Sequence, residues 1–139
     1  MTHTRLRKFN TRDTYPGATM DNDFCQVVRA GNMVFVRGQV GQDLDTAEPV
    51  GVGDPTAQTE QAMSNVTTLL EEAGSSLDHI CRIVVYLTDR AYREEVYAVI
   101  GKRLKGIFPV STGVIIDGLA RPEWVMEIDV TAVIPEDAS

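Results

Sequence analysis

Phe24-Cys-Gln-Val-Val-Arg-Ala-Gly-Asn-Met-Val-Phe-Val-Arg-Gly-Gln39 is the stretch on which the reading of the fold turns. Two β-rich runs, Phe24 to Ala30 and Met33 to Arg37, flank Gly31-Asn32. Glycine and asparagine both tolerate positive φ, which a two-residue hairpin turn requires, so an antiparallel hairpin is expected here. Before it, Leu6 to Phe9 reads as a short first strand, and residues 10–23 are turn formers that read as a loop.

Working outward toward the C-terminus, Asp43 to Pro55 is a second loop. Asp54-Pro55 is a helix start, because aspartate caps free N–H groups and proline suits the first helical position. Ala62, Val66, Leu69, Leu70 and Ala73 recur at helical spacing, and Gly74 stops the helix. Ile80 to Leu87 reads as a strand covered on both faces. Asp89 can cap a second helix with apolar positions Tyr92, Val96, Ile100 and Leu104, ended by Gly106 and Pro109. Val114 to Ile116 and Trp124 to Ile134 are the last strands. In the final one Met126, Ile128, Val130 and Ala132 alternate with Val125, Glu127, Asp129 and Thr131, so Glu127 faces away from the core layer.

The predicted order is β-β-β-α-β-α-β-β in one domain spanning residues 1–139. The class is α/β (α+β), a mixed sheet with two helices packed on one face. No further helix remains to cover the other face, so a second subunit is expected to cover it.

Composition sets the functional bounds. The chain has 139 residues and a formal net charge of −7. Its longest basic cluster is Arg5-Leu-Arg-Lys8, which reads as strand edge. Nucleic-acid binding draws on basic clusters and is not expected. No apolar run reaches the roughly 18 residues of a membrane span. The N-terminal residues carry positive charge without an apolar region behind them, so no secretory signal is read and a cytoplasmic location is expected. Cys25 and Cys81 lie far apart and read as buried free thiols. His3 and His79 are isolated, so neither a metal site nor a cofactor is expected.

Several segments now resemble a known family. The opening stretch is similar to the pattern Y-S-Q-A-V-x-x-G-N-x-V-F-V-S-G-Q of the Rid/YjgF/UK114-like superfamily, the reactive intermediate deaminase proteins. Asp54 to Gly74 resembles its helix through Gln58, Thr59, Gln61, Asn65, Leu70 and Ala73. Val84-Val-Tyr-Leu-Thr-Asp89 resembles its central strand. Pro109 and Glu127-Ile-Asp-Val-Thr-Ala132 resemble its P-x-R-S and E-I-E-A-x-A segments. The likeness covers residues 20 to 134. It implies a chorismate-mutase-like fold and a homotrimer with clefts between subunits that hold a small molecule.

The resemblance also marks departures. It places Ser111 where family members that hydrolyse 2-imino acids carry an arginine for the substrate carboxylate. A hydroxyl cannot replace that planar fork of donors. It places Phe24 at a tyrosine and Arg37 at the serine of S-G-Q, and it retains the acid as Glu127. Glu127 is the candidate catalytic residue. Arg37, Ser111, Gly113 (through its main chain), Phe24 and Tyr15 are the candidate substrate-binding residues, with Arg37 either supplying a cation to the cleft or pairing with Glu127. Arg121 reads as a solvent-exposed turn residue. Two readings stay open: a hydrolytic deaminase of an imine, enamine or related C–N bond, though not an efficient one for 2-imino acids, and a non-catalytic trimer that binds a small ligand, such as a carboxylate. An endoribonuclease is the least favoured, because no histidine acid/base pair is available.

Overall fold

The computed structural model describes residues 3–136; Met1 and Thr2 of the N-terminal segment read above lie outside them. The elements run β1 (Thr4–Asn10), β2 (Asp23–Ala30), β3 (Met33–Gln39), α1 (Pro55–Glu72), β4 (Ile80–Leu87), α2 (Arg93–Arg103), β5 (Val110–Ile115) and β6 (Met126–Val133). This is the order read from the sequence. The strands form one sheet in the order β1-β2-β3-β6-β4-β5. All neighbours are antiparallel except β4 and β5, which α2 joins as a parallel crossover.

Local chemistry explains the element ends. Across the hairpin Ala30 pairs with Met33, and Gly31 takes φ +61° while Asn32 stays in the ordinary region. The Asp54 side chain accepts from Ala57 N at 3.1 Å, with Pro55 at the first helical position. At the other end Gly74 has φ +90°, Ser75 N donates to Leu70 O at 2.8 Å, and Gly74 N donates to Glu71 O at 3.1 Å. This pair of hydrogen bonds is the glycine-dependent closure of a helix C-terminus.

Both helices pack on one sheet face. Val66, Leu69 and Leu70 of α1 and Val96 and Ile100 of α2 join Val34, Val85, Met126 and Ile128 in a single core cluster. The other face is bare, with Phe35 45% exposed and Val84 and Tyr86 half-buried.

Three readings need correction. β5 begins at Val110 rather than Val114, because it pairs with β4 from Arg82 onward. It is exposed along its whole length, so it carries no apolar alternation to read. Asp89 caps a short 3-10 turn over Arg90–Tyr92 through Ala91 N, and α2 starts after it. Cys25 is half-buried and Cys81 exposed. Cys81 stands at a register shift of β4 between Ile80 and Arg82, which turns it out of the core.

Candidate active site

The bend in β3 creates the site. Val36 pairs with Val130 and Gln39 with Ile128, so Arg37 and Gly38 together oppose the single residue Asp129. Such a bulge re-aims side chains. Val36 and Gln39 point into the core and are buried. Arg37 and Gly38 are left on the bare face. Gln39 locks this geometry, donating to Gln26 Oε1 and to Arg37 O, both at 2.9 Å.

Glu127 stands on the same face, between the buried Met126 and Ile128 of β6. It lies so close to Gly38 that a Cβ there would collide with Glu127 Oε2. The bulge therefore needs glycine at 38 to admit the carboxylate. The start of β6 is held from the helix layer. Gln58, 1% exposed, donates to Glu123 O at 2.8 Å and accepts from Val125 N at 3.0 Å.

Arg37 and Glu127 feel each other's charge but form no ion pair. Glu127's pKa is raised, chiefly by burial; Arg37 opposes the shift and Asp129 adds to it. Arg37's pKa is lowered by burial against the pull of Glu127. Although the Arg37 side chain as a whole is exposed, its guanidinium lies over the Phe9 ring, 4.7 Å from the centroid, and is crowded by protein there. Each charge is thus partly stripped of water without a hydrogen bond in return, an arrangement that a ligand can relieve.

A test of this strain follows from linkage. Glu127's raised folded pKa means that its protonation favours the folded chain. That contribution is complete below the unfolded pKa and is lost as pH rises through the folded one. Glu127→Gln is therefore expected to be more stable than wild type at neutral pH, with the gap closing toward about pH 4. Urea unfolding at the two pH values measures it, and equal stability at neutral pH would contradict the assigned strain.

Arg37 and Gly38 line a cavity of about 300 Å³, closed by Phe9, Tyr15, Leu44 and Trp124. Tyr15 is held there by Arg121, which lies 4.9 Å from its ring centroid and pairs with Glu123 at 2.6 Å. The reading of Arg121 as a free surface residue is thus corrected: it braces the cavity wall. Trp124 Nε1 is buried without a hydrogen-bond partner. Phe24 is 53% exposed and supports Phe9 edge-on, with ring centroids 6.1 Å apart.

Ser111 and Gly113 are elsewhere in the same chain. They pair with Ile83 and Val85, residues of the helix-facing side, on the outermost strand. The structure thus brings Arg37 and Tyr15 to one cavity, with Glu127 against its Gly38, and leaves Ser111 and Gly113 on the opposite sheet face. Gly38, Gln39 and Gln58 are positioning residues that sequence reasoning saw only as parts of a pattern. Among the described residues no His, Cys, Asp and Glu cluster could hold a metal ion, and no helix is long and apolar enough to cross a membrane.

Comparison with known proteins agrees with this architecture. A RutC family protein of Pyrococcus abyssi is 40% identical over 78 residues, covering 54% of this chain and 61% of that protein. The chain thus spans about three fifths of that relative. A RutC family protein of Synechocystis is 28% identical over 111 residues, covering 79% of this chain and 85% of that protein. The crystal structure of yeast Mmf1 superposes with a TM-score of 0.80 at 29% identity, covering 96% of this chain and 100% of that one. A YjgF/YER057c/UK114 family member from Mycobacterium tuberculosis gives 0.76 at 26% identity, covering 95% and 99%. The family model described as Endoribonuclease L-PSP matches residues 17–134. With that match over most of its length, the chain belongs to the Endoribonuclease L-PSP family, which these YjgF and RutC proteins share.

Proposed function

We propose that the chain is a hydrolytic deaminase acting on an imine, enamine or related C–N bond of a small metabolite. The observation that carries this reading is the Arg37–Glu127 pair: two partly desolvated, opposite charges that feel each other yet stay unpaired, Arg37 on the cavity wall and Glu127 against Gly38 of that wall. Arg37 holds an anionic group of the substrate, for which a guanidinium offers a fork of donors. Glu127 takes a proton from water as the water oxygen attacks the C=N carbon. Glu127 passes that proton to nitrogen, giving a carbinolamine, and then carries the carbinolamine's hydroxyl proton to nitrogen as the C–N bond breaks, which releases ammonia and leaves a carbonyl. A carboxylate raised toward neutrality is suited to accept and return that proton.

A homotrimer belongs to this proposal. The bare sheet face, with Phe35 45% and Val110 65% exposed, calls for cover by further copies of the chain. The cleft that results is proposed to bring Ser111 and Gly113 of one copy toward the Arg37 face of another. A second reading, a non-catalytic ligand-binding trimer, is favoured by Ser111 and Phe24, which take the places where the family resemblance expects an arginine and a tyrosine. Endoribonuclease activity has the least support, given the net charge of −7 and histidines that directly precede β1 and β4, which three strands separate.

The test is ammonia release from 2-iminopropionate, 2-iminobutanoate and a panel of neutral aryl imines generated in situ. The expected result is acceleration of at least one substrate over spontaneous hydrolysis, reduced about 100-fold by Glu127→Gln. Release that is identical with and without protein across the panel selects the ligand-binding reading.

A further inference from the structure

The cavity beside Arg37 is larger than the proposed bond cleavage needs. Water attack and proton transfer concern one carbon, one nitrogen and one carboxylate. A cavity of about 150 Å³ is enough to hold a benzene ring. The space here is about 300 Å³. The short alkyl chains of 2-iminopropionate and 2-iminobutanoate leave most of it unfilled, so its size fits a larger body.

The walls define what kind of body. Phe9, Tyr15 and Trp124 line the space, with Met20 and Leu44 as aliphatic cover. Two of the rings are held from behind or beside. Arg37 lies over Phe9 at 4.7 Å and Phe24 meets it edge-on, while Arg121 lies over Tyr15 at 4.9 Å. The loop that carries Leu44 is pinned as well. Asp43 Oδ1 accepts from Asp45 N at 2.9 Å and from Thr46 N at 2.8 Å, and Gln42 Nε2 donates to Ala47 O at 2.9 Å. Asn65 of α1 donates to Gln42 O at 2.8 Å, and Arg7 Nη1 reaches Asp45 at 2.9 Å. A space held by so many bonds does not collapse around a small ligand. A flat ring fills it with offset or edge-on aromatic contacts at little ordering cost.

We infer that this cavity is the specificity pocket of the site and selects substrates whose body is a single aromatic ring on a short alkyl arm, an assignment that rests on the deaminase reading for its chemistry. Tyr15 and Trp124 are the specificity-determining residues. The anionic group at Arg37 is common to small and large substrates and does not discriminate between them. The aromatic walls do.

Trp124 is the one tryptophan of the chain, so its emission reports on the cavity. Fluorescence titration, excited where a phenyl ring does not absorb, compares butanoate with 4-phenylbutanoate, two unreactive acids that differ only in the ring. The phenyl acid is expected to shift the Trp124 emission and to bind about tenfold or more tightly than butanoate, the gain that burying a phenyl ring brings. Ala120 lines the cavity from an exposed loop position, so Ala120→Phe fills the space without entering the core. That variant is expected to keep the wild-type thermal midpoint and to bring the two affinities together. Tyr15→Ala removes a wall instead of filling the space, and is expected to reduce the preference severalfold. Equal affinity of the two acids for wild type, undetectable binding of the phenyl acid at millimolar concentration, or an undiminished preference in both variants overturns the inference. The deaminase reading fails separately, through ammonia release that the protein does not accelerate. A deaminase confined to small alkyl imines passes the ammonia assay and fails this one; a binder without catalysis does the reverse.

Discussion

Gln58→Leu is expected to lower the unfolding free energy by about 3 kcal/mol, the largest loss for any single polar residue here. The side chain is 1% exposed and serves three main-chain groups. It donates to Glu123 O at 2.8 Å and Gly51 O at 3.2 Å and accepts from Val125 N at 3.0 Å. Leucine keeps the volume and removes every bond. Each buried group left unpaired costs about 1–3 kcal/mol, and partial access of water to the loop ends sets the total nearer the low end of the sum. Urea unfolding should show the loss as a shifted midpoint with an unchanged slope. A loss below about 1 kcal/mol would mean that these bonds are replaced by water at no cost.

Gly38→Ala is expected to separate function from folding. The added methyl would meet the far end of a flexible side chain, Glu127 Oε2 and Cδ, rather than backbone. Swinging that carboxylate aside costs little, so stability should change by less than about 1 kcal/mol. The carboxylate, however, leaves the position from which it addresses water. A displacement of about 1 Å is enough to lower a rate about 100-fold. Hydrolysis of whichever imine the wild type accelerates should fall by that order, with an unchanged thermal midpoint. Full activity in Gly38→Ala would remove Glu127 from the proposed chemistry. A large drop in midpoint would show that the bulge itself, and not the carboxylate, needs the glycine.

The scaffold was legible because its signals are local. The Asp54-Pro55 cap, the Gly74 stop and the alternation of Met126, Ile128, Val130 and Ala132 each act over a few residues, and each is realised. β5 was read four residues short because Val110-Ser-Thr-Gly113 lies exposed on an edge, where pairing with β4 rather than burial makes the strand. The site was legible only in part. Glu127's orientation followed from strand alternation. Its intimacy with Gly38 did not, because the bulge depends on how β3 pairs with a strand some ninety residues later. Arg121 illustrates the same limit, since its stacking on Tyr15 joins two loops that no periodicity relates.

The place of β6 has a consequence for how the molecule is made. It is the last strand in the sequence, yet it lies inside the sheet, between β3 and β4. Until it emerges from the ribosome, the β1-β2-β3 meander and the β4-α2-β5 unit have no common strand to join them, and each presents an open edge. Those edges are the sticky surfaces on which nascent chains misassociate. The joining step is also the one with the longest loop to close, which places it late and makes it slow. Glu127 rides on that strand, so the carboxylate reaches Gly38 only in the event that zips the two halves into one sheet.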